Sequence, residues 1–471
     1  MERDVHGEPR RVSTGDSLDR VERAAIGHYH DLLAADDALA EETQAALDDM
    51  QRRRRLVFGE RPLATVLRPR FTTHDAQRRL EGQMRPLLRA FARALDAALG
   101  DPAVLAQFRL VPWERELVRH DPGFRAASPT SRLDAFVIPA TGAMAITEYN
   151  AETPAGAAYT DALADVFVDI PAMRAMARTY SLAAPPCRPG VLRSLLDAYR
   201  QWKGGRDAPR IVILDWREVP TYREFELFEE YFHSRGLQCI IADPRNAEYR
   251  NGTLYCDGHP VDLIYKRVLL SELVERGGLD HPVIRAVRDG AACMVNPFRC
   301  KVLHKKASLA VLSDEMNAHL FERDELAAIA AHVPWTRVVE ERATTYDGRK
   351  VELLDFIARH RERLVLKPND EYGGTGIVLG WETSDGEWEA AVKVALATRH
   401  IVQERVAIPR EPYPSFADGR AQVIERMVDT APFVSDGAYS EGALARLSTA
   451  ALLNVTAGGG SSIPTFFVER R

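Results

Sequence analysis

Two neighbouring segments of the chain alternate apolar and polar residues with the two-residue period of a β-strand. The segments are residues 131–139 and Ala143–Asn150, and the stretch 139–142 between them has the Pro, Thr and Gly content of a turn. A run of this kind on both sides of a short turn is typical of an antiparallel pair. The pattern therefore predicts a β-hairpin.

The faces of this hairpin follow from its register. Folding the chain about the turn brings Asp134 beside Thr147 and Glu148. The period of two places Arg132 with Asp134 on one face of the first strand, and Glu148 with Asn150 on one face of the second. We therefore expect two carboxylates, one amide oxygen and one guanidinium to lie close together.

The pattern along the rest of the chain predicts a mixed α/β (α+β) fold. In order, it indicates a polar, disordered tail at residues 1–20, a helical region at 21–124, the hairpin with a following helix at 125–184, alternating strands and helices at 191–300, and a second α/β part at 301–471. The alternation in 191–300 favours a small parallel, Rossmann-like sheet, although no GxGxxG turn follows its first strand. A chain of 471 residues should form two or three closely packed lobes.

A lysine and a glycine-rich turn follow one short apolar strand in the second half of the chain. The strand ends at Lys367-Pro368, and the turn that precedes the next apolar segment contains Gly373, Gly374, Thr375 and Gly376. Backbone N–H groups in such a turn can approach a polyphosphate closely, and a lysine adds positive charge. The segment is not a Walker A loop, because Gly-Lys-Ser/Thr is missing and a strand follows. The alternative is an ordinary hairpin with a flexible tip.

Two further segments suit the same ligand. Lys305 and Lys306 directly precede an apolar helical pattern, and a lysine at a helix start opposes the helix dipole unless an anion is near. The apolar strand that ends at Gln403 and Glu404, with Val406 just beyond, can offer backbone groups and a carboxamide or carboxylate to the edge of an adenine.

The hairpin cluster itself suits a hard divalent cation. Oxygen atoms from Asp134, Glu148 and Asn150 are ligands that Mg²⁺ accepts together with substrate phosphates. The alternative is a solvated ladder of ion pairs with Arg132, which needs no ligand.

Composition and charge exclude several classes of function. The net charge of −6 gives no attraction to nucleic acid or to anionic membranes, and no stretch approaches 18 uninterrupted apolar residues. The first residues lack the apolar core of a signal peptide. The five cysteines are odd in number and show no CxxC spacing, which favours reduced thiols. We therefore expect a cytoplasmic protein that binds neither nucleic acid nor membranes.

Taken together, residues 125–471 resemble the ATP-grasp superfamily, specifically its circularly permuted branch that includes the synthetase domain of glutathionylspermidine synthase. The shared order along the chain is Arg132 and Asp134, then Glu148 and Asn150, then Lys306, then Lys367 with residues 373–376, then Gln403 and Glu404. The usual ATP-grasp order places the metal carboxylates after the lysines, so the reversed order is diagnostic.

The resemblance also implies ligands and roles. ATP would be bound by both lysines, the glycine-rich turn and the hinge that contains Val406, with two Mg²⁺ ions on Asp134, Glu148 and Asn150. Arg132 and Arg446 would stabilise an acylphosphate, since Arg446 resembles the arginine that holds the transferred phosphate. The choice of Lys306 over the adjacent Lys305 stays open at this point.

The reaction that the resemblance implies joins a small-molecule or peptide carboxylate to an amine, through an acylphosphate, with release of ADP and phosphate. No amidase-like Cys/His arrangement is present, and the glutathione and polyamine specificity cannot be transferred. The alternatives are a phosphotransferase, a non-catalytic nucleotide-binding partner protein, and an unrelated α/β binding protein. The sequence leaves the acid, the amine and a homodimer undecided.

Overall fold

The computed structural model describes residues 20–58, 61–138, 141–205, 207–371, 373–449 and 460–471. Apart from Arg20, the tail predicted at residues 1–20 lies outside the described residues, as do two residues of the predicted hairpin turn, 139 and 140. Among the described helices, none has the length and apolar character needed to cross a bilayer.

The N-terminal region is helical, as its periodicity predicts. Its elements are α1 (Arg20–Ala35), α2 (Asp37–Arg53), β1 (Val57–Phe58), β2 (Arg61–Pro62), β3 (Arg70–Thr72), α3 (His74–Gly100), α4 (Pro102–Gln107) and α5 (Pro112–Leu117). Side-chain caps fix two of the helix starts, because Asp36 accepts a hydrogen bond from Leu39 N–H and Thr73 accepts one from Ala76 N–H. The apolar face of α3 then packs against the rear of the hairpin.

The predicted hairpin is present and is followed by helices. The elements are β4 (Thr130–Ile138), β5 (Ala143–Asn150), α6 (Ala157–Asp169), α7 (Pro171–Met176), β6 (Tyr180–Ala183) and α8 (Arg188–Lys203). Strand β4 pairs antiparallel with β5, and their rear face buries Leu133, Ile146 and Tyr149 in a core shared with α3.

Residues 211–295 contain the predicted parallel sheet. The elements are β7 (Ile211–Leu214), α9 (Tyr222–Ser234), β8 (Cys239–Ala242), a 3₁₀ turn (Pro244–Asn246), β9 (Ala247–Arg250), β10 (Thr253–Cys256), β11 (His259–Val261), β12 (Leu263–Lys266), α10 (Leu270–Gly277), α11 (Pro282–Arg288) and β13 (Cys293–Val295). The order β13-β12-β7-β8 is parallel throughout, while β9 to β11 form a separate antiparallel meander. All five cysteines are buried.

A second antiparallel sheet carries the lysine strand. The elements are α12 (Cys300–His304), α13 (Ala307–Ser313), a 3₁₀ turn (Glu315–Leu320), α14 (Arg323–His332), β14 (Thr336–Val338), β15 (Ala343–Tyr346), β16 (Arg349–Glu352), α15 (Leu353–Arg359), a 3₁₀ turn (Arg361–Arg363), β17 (Leu364–Pro368), β18 (Val378–Leu379), a 3₁₀ turn (Gly380–Glu382), α16 (Asp385–Ala397) and β19 (His400–Glu404). The strand order is β14-β19-β17-β18. The apolar segment after the glycines forms only the short strand β18, because Gly380 starts a 3₁₀ turn.

The C-terminal strands return to the hairpin. They are β20 (Arg410–Ala417), β21 (Arg420–Ser435), β22 (Tyr439–Ser448), β23 (Ser461–Ile463) and β24 (Thr465–Arg470). The central antiparallel sheet has the order β23-β22-β21-β4-β5, and β20 pairs with β21. Strand β21 thus lies beside β4 of the hairpin, whereas β24 pairs with β3 and β6, and the predicted α/β (α+β) class is confirmed. The predicted division into domains stays a prediction.

Candidate active site

A bulge in the hairpin decides which side chains reach the site. Arg132 pairs with Asn150 and Asp134 with Glu148, but the register shifts directly after Asp134, so that Thr147 is the extra residue. The shift keeps the apolar residues on both sides of the bulge in the core while Glu148 and Asn150 join the face of Asp134. The predicted neighbours of Asp134 are therefore confirmed, with a bulge that the prediction lacked.

Two arginines converge on Asp134. Arg132 donates from Nε to Asp134 Oδ1 at 2.6 Å and from Nη2 to Oδ2 at 2.9 Å. Arg446, on β22, donates from Nη2 to Asp134 Oδ2 at 2.8 Å and from Nε to Asp429 Oδ2 at 2.8 Å. Arg132 and Asp134 are each only 6% exposed, so this face of the hairpin is not a solvated ladder.

The two carboxylates of this cluster differ in their tendency to ionise. Burial alone would raise the pKa of Asp134, but Arg132 and Arg446 outweigh burial and hold it below its ordinary range. Asp429 keeps a raised pKa, because burial outweighs the attraction of Arg446 and Asp134 repels its charge. A fixed anion therefore lies beside a carboxyl group that resists ionisation.

Of the two adjacent lysines, it is Lys306 that reaches the hairpin. Its Nζ lies 3.2 Å from Glu148 Oε1, whereas Lys305 Nζ lies 2.6 Å from Glu114 Oε1. Burial would raise the pKa of Glu148, but the Lys306 ammonium, together with His304 and Lys367, lowers it overall. This geometry favours Lys306 as the residue that faces the phosphates.

The hairpin oxygens fit a divalent cation. Asn150 Oδ1 is buried and accepts no hydrogen bond from the residues that the structure describes. It lines the same cavity as Asp134 and Glu148. An unpaired amide oxygen beside two carboxylates is a donor set that suits Mg²⁺. These residues could therefore hold the predicted metal.

Lys367 is a buried ammonium on β17. Its Nζ donates to Gln403 Oε1 at 2.7 Å and to Thr147 O at 3.2 Å. Burial lowers the pKa of Lys367 to about 8, with help from the Lys306 charge. Gln403 in turn donates to Thr336 Oγ1 at 3.0 Å. The Gln403 carboxamide therefore holds Lys367 and does not present an open edge, which differs from the expected contact with adenine.

The backbone amides at the end of β19 are bonded within the protein. Glu404 N–H donates to Trp335 O at 2.8 Å and Arg405 N–H donates to Arg363 O at 2.7 Å. The Glu404 carboxylate accepts a hydrogen bond from Tyr346 Oη at 2.6 Å. The first two amides of the hinge are thus used inside the protein, and Val406 is the next residue along it.

The glycine-rich turn adopts the backbone that its sequence predicts. Gly373, Gly374 and Gly376 have φ values of 63°, 81° and 70°, a region that side chains rarely enter. A Cβ on Gly376 would lie 2.7 Å from Pro368 Cγ. Glycine is therefore required here by both the backbone and the close approach to the end of β17.

One cavity of about 200 Å³ unites these elements. Its wall contains every predicted site residue except Lys306, Thr375 and Gly376. Lys306 nevertheless contacts the wall through Glu148.

The sequence prediction missed Asp429 and the apolar side of this cavity. The missed residues are Phe136, Val365, Ile377, Leu379, Trp381 and Ile408, together with Asp429. Arg405 covers the Trp381 ring at 4.3 Å from its centroid. Asp429 could have been found, because it is the only acid in the buried apolar end of β21. An apolar wall opposite a cationic end suits a flat base that carries phosphates.

Comparisons with known proteins agree with this arrangement. A family model described as circularly permuted ATP-grasp type 2 matches residues 133–448. A putative glutamate–cysteine ligase 2-3 of Frankia alni (strain DSM 45986 / CECT 9034 / ACN14a) is 24% identical over 438 residues, which cover 86% of this chain and 47% of that protein. The chain thus spans about half the length of the curated relative that it matches.

A solved structure shows the same fold at low sequence identity. The apo form of a glutathione synthetase-like effector (GSS30) from Globodera pallida has a TM-score of 0.59 and 11% identity, covering 91% of this chain and 97% of that one. A putative gamma-glutamylcysteine synthetase from Methylobacillus flagellatus KT has a TM-score of 0.43 and 12% identity, covering 84% and 89%.

The family match settles the order of the parts. It runs from within the hairpin to the end of β22, so both the hairpin carboxylates and the later lysines fall inside it, in that order. The predicted permuted order is therefore confirmed, while the specific likeness to glutathionylspermidine synthase stays a prediction. The chain belongs to the circularly permuted ATP-grasp family, type 2.

Proposed function

We propose that this chain is an ATP-dependent carboxylate–amine ligase that forms an amide bond through an acylphosphate. The observation that carries the proposal is the single cavity in which the carboxylates of Asp134 and Glu148, the Lys367 ammonium and the Arg446 guanidinium meet. Membership of the ATP-grasp family implies ATP and a divalent cation as ligands. The number of Mg²⁺ ions, which we take as two, is part of the proposal.

In the first step, an oxygen of the substrate carboxylate attacks the γ-phosphorus of ATP. The bond from this phosphorus to the β,γ-bridging oxygen breaks and ADP leaves. Lys306 and Lys367 neutralise the phosphates, since phosphoryl transfer needs charge stabilisation and alignment more than covalent help. A divalent cation held by Asp134, Glu148 and Asn150 would neutralise further phosphate charge.

In the second step, the nitrogen of the amine attacks the acyl carbon. The bond from that carbon to the phosphate oxygen breaks, the nitrogen loses a proton, and inorganic phosphate leaves. Arg132 and Arg446 would hold this phosphate, since guanidiniums bind phosphate oxygens through several N–H groups and both converge on Asp134 in the cavity. Their buried setting strengthens each such hydrogen bond.

The relative from Frankia alni supports amino-acid substrates. Its name suggests L-glutamate as the acid and L-cysteine as the amine, and we propose this pair as the first to test on this chain. A homodimer stays a prediction.

The experiment that tests the proposal traps the acylphosphate. The chain is incubated with MgATP, hydroxylamine and single carboxylic acids, starting with L-glutamate, and ADP and hydroxamate are measured. Equal amounts of both, absent from the Asp134→Asn variant, are expected. In a parallel reaction with the amine and without hydroxylamine, inorganic phosphate should be released together with ADP; a phosphorylated acid that accumulates without release of phosphate would instead identify a phosphotransferase, and absence of nucleotide binding would refute both.

A further inference from the structure

Behind the cavity lies a buried cluster of six charged side chains that the proposed reaction does not use. It contains the carboxylates Glu114, Glu152 and Asp370 and the lysines Lys266, Lys301 and Lys305. All members except Asp370 are at most 2% exposed. Removing one member of such a buried ion pair leaves its partner as an unpaired buried charge, which is costly. These contacts therefore hold in place the segments that carry them.

Asp370 joins two of these lysines. Lys301 Nζ lies 2.8 and 2.9 Å from the two oxygens of Asp370, and Lys305 Nζ lies 2.7 Å from Oδ2. On their far sides, Lys301 contacts Glu152 Oε2 at 3.0 Å and Lys305 contacts Glu114 Oε1 at 2.6 Å. Each lysine therefore bridges Asp370 to a different carboxylate in the core.

The contacts within this cluster argue against a metal site. Potential ligand atoms of Glu152, His304 and Asp370 all lie within 4.8 Å of one another. However, Lys301 Nζ contacts both of the carboxylates directly. The ammonium already provides the cation that this group requires, and the cluster is therefore structural.

The cluster joins the two segments that carry the proposed phosphate-binding groups. Asp370 lies between Lys367 and the glycine-rich turn, and Lys305 directly precedes Lys306. The neighbouring Asn369 joins the same two segments, because its carbonyl accepts a hydrogen bond from Lys306 N–H at 3.0 Å. The groups proposed to hold the phosphates come from two separate segments, and these contacts set the distance between them.

We propose that Asp370 is a positioning residue for the polyphosphate, acting through Lys301 and Lys305 on Lys306 and the glycine-rich turn. The inference rests on the proposed function, since it takes this site as the ATP site. Misplacement of binding groups by about 1 Å can cost two orders of magnitude in rate, so loss of this contact should weaken phosphate recognition specifically.

The test compares two adjacent carboxylates. Asp370→Asn removes the charge that binds both lysines. Glu371→Gln removes an exposed carboxylate that makes no hydrogen bond or ion pair with the described residues, while its carbonyl keeps the bond from Lys306 Nζ at 2.5 Å. A fluorescent ATP analogue is bound in the presence of Mg²⁺ and displaced by ATP or by AMP, well below the unfolding temperature of each variant.

In Asp370→Asn, ATP should bind at least tenfold more weakly while AMP changes less than twofold, and Glu371→Gln should change neither. A loss that is equal for ATP and AMP, or no loss, overturns the positioning role. If Asp370→Asn does not fold, Asp370→Glu replaces it: at least threefold weaker ATP binding with unchanged AMP binding supports the role, and unchanged ATP binding overturns it. Failure of the wild type to bind the analogue would instead refute the ATP site itself.

Discussion

Replacement of Lys367 by methionine should leave the ligand-free protein at least as stable as the wild type while weakening its affinity for ATP. Lys367 is 8% exposed, and burial lowers its pKa from the ordinary value of 10.5 to about 8. That difference corresponds to about 3 kcal/mol of unfavourable free energy for the ammonium at pH 7. Methionine keeps most of the volume without the charge.

The expected gain in stability is reduced because the substitution leaves a buried hydrogen-bond acceptor without its donor. Gln403 Oε1 loses the Lys367 ammonium, its donor at 2.7 Å, and an unpaired buried acceptor costs about 1–3 kcal/mol. We therefore expect Lys367→Met to be between equally stable and about 2 kcal/mol more stable than the wild type at pH 7. Loss of a charged contact to phosphate should weaken MgATP binding by about 1.5–3 kcal/mol, or tenfold or more.

The pH dependence of the free energy of unfolding shows whether the buried charge of Lys367 causes this difference in stability. Because the pKa of Lys367 is lower in the folded chain than in the unfolded chain, the unfolded chain binds more protons between pH 8 and 10.5. The free energy of unfolding of the wild type should therefore increase as the pH rises from 8 to 10.5. The Lys367→Met variant should lack this increase.

The assay is urea unfolding at pH 7 and pH 9.5 together with displacement of a fluorescent ATP analogue. Lys350→Met, at an exposed lysine of β16, is the matched control and should change the free energy of unfolding by less than about 0.5 kcal/mol. A Lys367→Met variant that is several kcal/mol less stable at pH 7, or that binds MgATP as the wild type does, would refute this reasoning.

Three further predictions follow from the geometry. Asp134→Asn should reduce hydroxamate formation at least about a hundredfold and lower the unfolding midpoint, because the Arg446 guanidinium loses a charged partner; wild-type activity would remove the metal assignment. Deletion of Thr147, the extra residue of the bulge, should leave Glu148 and Asn150 on the face of Asp134 in a regular ladder and so preserve the Mg²⁺ dependence of ATP binding; loss of that dependence, measured by displacement, would contradict the bulge. Gly376→Ala should weaken ATP binding and cost about 1 kcal/mol or more in urea unfolding, because its Cβ would clash with Pro368; an unchanged variant would contradict the turn geometry.

The sequence predicts most of this site because its elements are local. Polar and apolar residues alternate along the strand around Arg132 and Asp134, and the glycines of the turn indicate a backbone with positive φ. The bulge also left a signal that the prediction did not use. The apolar positions of β5 change phase between Ile146 and Tyr149, which indicates one extra residue between them.

What the sequence does not predict are contacts between distant segments. Nothing near Asp429 in the chain indicates that it binds Arg446, because only the pairing of β21 with β22 brings them together. The same holds for Gln403, which a local pattern assigns to a nucleobase and the tertiary fold assigns to Lys367. Short strands such as β18 are likewise set by close packing at Gly380.

The central claim is that this cavity binds ATP with a divalent cation. The most direct measurement is thermal unfolding of the wild type with ATP, with Mg²⁺ alone, and with both. Nucleotide at about a hundred times its dissociation constant should stabilise the fold by roughly 2.7 kcal/mol. We predict a raised midpoint with MgATP, a smaller shift with ATP alone, and a clearly smaller shift with MgATP in Lys367→Met. The absence of any shift at millimolar MgATP would contradict it.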